Sequence, residues 1–336
     1  WSSDVCSSDL ADRWGPRLVC MSGMGLIALG LYVTSLAQTL DVIYLSYGLL
    51  VGLGIAFVYT PSIASVQPWF TTRRGLASGI ASSGVGAGTL LLPVLVSLLL
   101  TNMPWREALQ TLSLGVVVVG LSAALMLERA PTPAGQAKGA LPGLSLQEAV
   151  RTPSFRWLYM GALLGSPVMF IPFAHISAAA RDAGVPEAQA VGLVGLIGIG
   201  SLVGRFAIGW LADRVGRVKT LMLMQGLMGL SYLIWAFAQD RLAFGAFALW
   251  FGLSYGSIVS LLPAICMDYF GGKSVASVVG MLYSGAALGN LLGPVLAGAV
   301  FDHSGHYLGV MAVCGVLSLC ATWASRQMKR SGLAQY

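Results

Sequence analysis

Ten apolar runs punctuate the chain, at roughly 18–37, 42–66, 76–100, 108–127, 157–180, 188–211, 220–239, 242–267, 275–301 and 307–325. A helix needs about 20 apolar residues to cross the hydrocarbon core of a bilayer. The pattern therefore predicts ten transmembrane helices and an all-α polytopic membrane protein. The runs are too long for strands, and the ten-residue alternation of a membrane barrel is not seen. They are rich in Gly, Ala and Ser, small residues that let membrane helices approach closely.

Composition agrees. The 336 residues are 56% hydrophobic and 10% charged, with a mean hydropathy of +0.78. A soluble domain carries about 25% charged residues, so a water-facing surface could not be covered. Disorder needs low hydrophobicity and is excluded, and the 43 glycines follow no Gly-X-Y period. The net charge of +6 does not indicate nucleic acid, because the bases sit in short loops between apolar runs. Threading the runs through a bilayer puts 15 bases on one side and only Arg106, Arg181 and Arg241 on the other. Cytoplasmic loops carry the excess of Lys and Arg, so both chain ends are expected to be cytoplasmic, in a bacterial inner membrane. Five scattered cysteines form no CxxC pair; the four in apolar runs (Cys20, Cys266, Cys314, Cys320) read as small buried thiols. No phosphate loop or metal-ligand motif occurs. An enzyme would need clustered His, Asp or Cys, and no cofactor is expected.

The polar stretch 128–154, rich in Pro, Gly and charge, reads as a cytoplasmic linker between residues 11–127 and 155–326, with 327–336 as a tail. Residues 1–10, WSSDVCSSDL, have no apolar run and no signal-peptide layout, and read as a non-native segment joined to a truncated gene, with a genuine polar tail as the alternative. The two halves echo each other at a fixed offset of 201: Ala-Asp-Arg-Trp-Gly at 11–15 against Ala-Asp-Arg-Val-Gly at 212–216, and Gly84, Gly88 and Pro93 against Gly285, Gly289 and Pro294. Parallel repeats of six helices are a transporter architecture. Six spans after the linker and four before it leave two spans unaccounted for ahead of Asp12.

At these residues the chain resembles the major facilitator superfamily. Its loop motif, Gly-x-x-x-Asp-Arg-x-Gly-Arg-Arg/Lys, is matched by Gly209, Asp213, Arg214, Gly216 and Arg217, with Lys219 one position beyond the final base, and a second copy retains Asp12, Arg13, Gly15 and Arg17. The resemblance implies that the ten spans are helices 3–12 of a twelve-helix fold, and that the motif is a cytoplasmic latch between the halves. The stretch Trp69 to Gly84, with Arg73 and Arg74, is similar to the fifth-helix signature of monocarboxylate transporters. Gly204-Arg205 resembles the position where that family and the oxalate/formate antiporters keep a substrate arginine. The implied activity is alternating-access transport of a small organic monoanion, with a proton as the coupled partner, by a monomer in the lipid bilayer. A drug or metabolite exporter with a structural Arg205 is the alternative, and a membrane sensor or enzyme a remote one.

The chemistry rests first on Arg205. An arginine at the bilayer centre is costly and usually faces the bundle interior or a wet cavity. All 13 acids lie in loops, at span ends or in residues 1–10, so no acidic partner is visible within the membrane. A planar guanidinium suits a carboxylate bidentately; the alternative is an arginine bonded to carbonyls. His175, alone among the histidines in lying inside a span, could line the pocket or carry a proton, or simply bond across helices. Tyr59, Thr60, Tyr255, Tyr283 and Asn290 are further candidates for the path, with interhelical bonding as their alternative. Ser201 stands where the monocarboxylate family often has an acid. Asp12 and Asp213 can each meet a helix N-terminus, where the dipole favours anions. Gly84, Gly86, Gly88, Gly285 and Gly289 are expected at close helix contacts.

Overall fold

The computed structural model describes residues 10–11, 14–70, 72–128 and 142–328. The described backbone is helical apart from short turns and one isolated antiparallel bridge, Gly143 to Gly271. Ten long helices follow one another: α1 (Pro16–Ser35), α2 (Leu40–Trp69), α3 (Arg74–Asn102), α4 (Trp105–Leu125), α5 (Pro153–Asp182), α6 (Glu187–Val215), α7 (Arg217–Ala236), α8 (Arg241–Phe270), α9 (Val275–Ser304) and α10 (Leu308–Arg326). Each coincides with one expected run. Among the described residues nine are long and apolar enough to cross a membrane. The tenth, α7, is 20 residues long, but Arg217, Lys219 and Gln225 lower its hydropathy.

The helices end where the chain chemistry requires. Gly216 has φ 111°, a left-handed value that side chains resist, and it separates α6 from α7. Gly15 holds the same place before α1 with φ 97°. In both copies the glycine N–H donates to the alanine carbonyl four residues back, Ala11 or Ala212, at 2.9 Å. The repeat is thus one of backbone geometry as well as of sequence. Thr152 caps α5, its hydroxyl accepting from the Phe155 N–H at 3.1 Å.

Contacts group the chain into two compact units: Trp1–Trp69 with Leu92–Leu146 and Gly271–Met281, and Phe70–Leu91 with Gln147–Phe270 and Leu282–Tyr336. In the first unit the Arg106 guanidinium donates to the Ala37 carbonyl, just past the end of α1, at 2.9 Å. Ser113 donates to the Ala28 carbonyl at 2.8 Å.

The second unit has an aromatic core of Phe155, Tyr232, Trp235, Phe247, Phe251 and Phe270. Through it α6 and α8 run backbone to backbone. A Cβ at Gly200, Gly204, Gly252 or Gly256 would overlap a carbonyl of the opposite helix. Two such glycines, four residues apart on each helix, form the small-residue seam that close membrane packing uses. α9 leans on α5 in the same manner: a Cβ at Gly285 would lie 2.8 Å from the Tyr159 ring and one at Gly293 2.9 Å from Pro167.

Two sequence expectations need correction. Gly84 faces open space, with nothing within 4 Å of a Cβ, whereas Gly86, Gly285 and Gly289 are at helix contacts. Cys20, Cys266 and Cys314 are buried, but Cys320 is exposed, on an outward face of α10 that also carries Val316, Leu319 and Trp323.

Candidate functional site

Two clusters of charge are built within the second unit. The first surrounds the loop motif. The α6–Gly216–α7 corner sets Asp213 on the last turn of one helix and Arg217 on the first turn of the next. The Asp213 carboxylate accepts from the backbone N–H of Gly75 at 2.9 Å and of Leu76 at 3.1 Å. These are donors that the first turn of α3 leaves unpaired, at its positive dipole end. Arg217 donates to Asp213 from Nε at 2.9 Å and Nη2 at 2.7 Å, and from Nη1 to Asp268. Asp268, on the last turn of α8, also accepts from Arg74 Nη1 at 2.8 Å. Two acids and two arginines thus alternate around one helix start. The close approach needs Gly75, where a Cβ would stand 2.9 Å from an Asp213 oxygen, and Gly209, where one would stand 2.8 Å from the Gly75 carbonyl.

The remaining motif residues divide. Arg214 is outside the network and lies over the Trp210 ring, 3.9 Å from its centroid. Arg73 is exposed, with φ 55°. Asp12 and Arg13 fall outside the described residues. Asp268 was missed by sequence reasoning; its signal was an acid closing the apolar run 242–267 on the side rich in bases.

The second cluster holds Arg205. It lies in a π-helical segment of α6, Gly204–Ile208, a distortion common at functional positions. Its backbone is pinned on both sides. A Cβ at Gly79 would overlap the Arg205 carbonyl, and the adjacent Gly204 sits in the α6–α8 seam. The side chain is 0% exposed, so it does not snorkel. Nε donates to Ser201 Oγ at 3.2 Å, while Nη1 and Nη2 have no hydrogen-bond partner. The guanidinium carbon is 5.9 Å from the centroid of the Tyr255 ring, at the outer range of a cation–π contact. Arg205 and Tyr255 are the candidates that the fold brings together.

The other candidates sit at helix contacts. His175 Nε2 is 2.9 Å from the Pro294 carbonyl, which can only accept, so Nε2 carries the proton. Nδ1 lies 3.1 Å from the Tyr307 hydroxyl, which can donate or accept. The ring ties α5 to α9 and to the turn before α10. Tyr307 itself has its pKa raised, first by burial and then by Asp182 and Asp302. The Asn290 amide nitrogen, in the orientation its neighbours satisfy, donates to the carbonyls of Ser166 at 3.1 Å and Ala286 at 3.2 Å. Tyr283 is half-buried on α9. Tyr59 and Thr60 belong to the first unit, where Tyr59 is half-buried and Thr60 fully buried with its hydroxyl unpartnered.

A helical membrane fold with a two-copy loop motif and a buried cation defines a class, and comparison agrees. The chain belongs to the Major Facilitator Superfamily, whose family model matches residues 5–271 and 169–330. Among curated relatives, Monocarboxylate transporter 13 of Bos taurus is 32% identical over 321 residues, which cover 94% of this chain and 74% of that protein. Monocarboxylate transporter 11 of Homo sapiens is 32% identical, covering 94% and 69%. Of solved structures, the E. coli fucose:proton symporter superposes with a TM-score of 0.76 at 16% identity, over 98% of this chain and 88% of that one. The human organic anion transporter MFSD10 gives 0.78 at 17%, over 97% and 81%. At such identities these two speak for the fold alone. The protein is a multi-pass transporter of this superfamily and not an enzyme. The curated relatives named here are mammalian, and lend no support to the bacterial inner membrane expected from the sequence.

Proposed function

We propose that the protein is a secondary transporter that moves a small organic monoanion of the monocarboxylate kind together with a proton by alternating access. One observation carries this reading: a fully buried guanidinium has two unpartnered nitrogens, and among the described residues no acid stands in the interior of the ten long helices. A desolvated cation without a counter-ion is costly. A bidentate carboxylate answers both free nitrogens at once, and one cation suits one negative charge. The names of the curated relatives support the substrate class. Residues 11–127 and 155–326 act as the two rocking halves of a monomer, both ends cytoplasmic, with the Asp213 cluster as the cytoplasmic latch. His175, bonded to the Pro294 carbonyl and the Tyr307 hydroxyl, is the candidate for the coupled proton.

The test is uptake of labelled pyruvate or lactate into proteoliposomes, with and without an inward-directed proton gradient. Saturable uptake that rises with the gradient is expected. Uptake that persists unchanged in Arg205→Ala would make the arginine structural, as in a drug or metabolite exporter.

A further inference from the structure

The Tyr255 ring beside Arg205 belongs to a larger cluster. Its centroid lies 5.2 Å from that of Phe173, 6.2 Å from Phe170 and 6.2 Å from Phe251. Phe170 and Phe173 are 5.9 Å apart and, three residues apart on α5, share one helix face. The cluster is graded in exposure. Phe251 is 0% exposed and Tyr255 7%, whereas Phe170 and Phe173 are half-buried. Its inner end is core; its outer end is a pair of half-buried rings. Arg205 and these two rings all border Tyr255.

A two- or three-carbon acid would engage only the cation. An acid with a ring on a short spacer would engage both, placing its carboxylate on Arg205 and its ring edge-to-face on Tyr255 or Phe173, the arrangement aromatic quadrupoles prefer. An α-ammonium would fit badly. It would be held close to the guanidinium, and among the described residues the helix interiors contain no carboxylate to neutralise it.

We propose that the substrate is an aromatic monocarboxylate without an amino group, its carboxylate on Arg205 and its ring against Tyr255, Phe173 and Phe170. This rests on the reading of Arg205 as a carboxylate receptor.

Titration calorimetry of the purified protein with phenylpyruvate, pyruvate and phenylalanine tests it. Phenylpyruvate is expected to bind at least tenfold more tightly than pyruvate, and phenylalanine more weakly than phenylpyruvate by a similar factor. Phe173→Ala should weaken phenylpyruvate about tenfold and pyruvate less than threefold. Phe173→Leu, which keeps the volume and loses the quadrupole, guards against misfolding and should weaken phenylpyruvate by about threefold. Equal binding of the two oxo acids, both lost in Arg205→Met, would overturn the aromatic assignment and leave the carboxylate reading standing. Tight phenylpyruvate binding that ignores both Phe173 variants would also overturn it. Binding of neither acid, or binding indifferent to Arg205, would sink the carboxylate reading and this proposal together.

Discussion

Arg217 and Arg205 stand on consecutive helices and differ in how the fold answers their charge. Arg217 is partly exposed, yet it bonds two carboxylates through three nitrogens. Arg205 is sealed from solvent and bonds one neutral hydroxyl. Desolvation is worse for the second, so cost alone would have placed the acids beside it. A charge that holds helices together is paired in place. A charge that must receive an anion is kept free, at the expense of stability. The pairing at Arg217 is a structural joint; the unpaired guanidinium nitrogens of Arg205 are what the proposed carboxylate reading rests on.

The largest expected effect lies in Arg205. Arg205→Ala should lower anion affinity about 30-fold or more, since truncating one partner of a desolvated charge pair costs ~2–5 kcal/mol. Arg205→Lys keeps the charge but loses the fork, and should recover little. The near-isosteric Arg205→Met should leave thermal stability unchanged or raised, because replacing a buried charge by a packed apolar side chain is often neutral or stabilising by about 1–4 kcal/mol. A clear fall in melting temperature for Arg205→Met would show that this arginine is structural too, and the contrast with Arg217 would collapse.

Asp213 should behave in the opposite sense. Asp213→Ala removes the acceptor for Gly75, Leu76 and Arg217 together and leaves charged donors unpaired. A loss of about 3 kcal/mol is expected, at the lower end for a broken buried pair. Asp213→Asn keeps one acceptor oxygen and should lose less. A double-mutant cycle of Asp213→Asn with Arg217→Gln should give a coupling of roughly 0.5–3 kcal/mol. Zero coupling, measured by thermal melts in detergent, would mean that the latch is only a topology signal.

The glycines that set the two arginines in place give the next step down. Gly79→Val drives a side chain against the Arg205 carbonyl and should destabilise by about 1–3 kcal/mol, as overpacking does, while also weakening anion binding. Gly84→Ala, five residues along the same helix, meets nothing and should be neutral or stabilising by up to ~1 kcal/mol. Equal responses to the two substitutions would show that α3 does not press on α6 at Gly79.

Much of this was readable beforehand, for physical reasons. The hydrocarbon core imposes a minimum length on every apolar run, so all ten helices were placed to within a few residues. A repeated Asp-Arg-x-Gly at fixed offset announced the corner geometry that Gly15 and Gly216 share. Arg205 stood out because a charge within an apolar run needs a reason. Partnerships between distant residues were not readable. Nothing in the spacing says that Asp268 completes the network of Asp213, Arg217 and Arg74, because that depends on which helix ends meet. Nor does periodicity reveal that Phe170 and Phe173 back the ring beside Arg205: an aromatic in a membrane helix looks the same whether it faces lipid, core or ligand. His175 and Asn290 have polar side chains that fit a pocket equally well on paper, and the structure finds both bonding to carbonyls across helices.

The smallest effect sharpens the comparison within the loop motif itself. Arg214 and Arg217 are three residues apart in one motif, and either could have been the partner of Asp213. Helix geometry decides. Arg217 begins α7, one turn beyond Asp213 across the Gly216 corner, and points back at it. Arg214 follows Asp213 directly, is turned to the exposed side and rests on Trp210. An exposed cation–π contact is worth about 0.5–1 kcal/mol, so Arg214→Gln should cost no more than that in stability. Arg217→Gln should cost more, because it strips Asp213 and Asp268 of their shared donor. Melting curves of the two variants, in the same detergent, decide the matter. A larger loss at Arg214 than at Arg217 would mean that the motif is held by its aromatic contact rather than by its carboxylates.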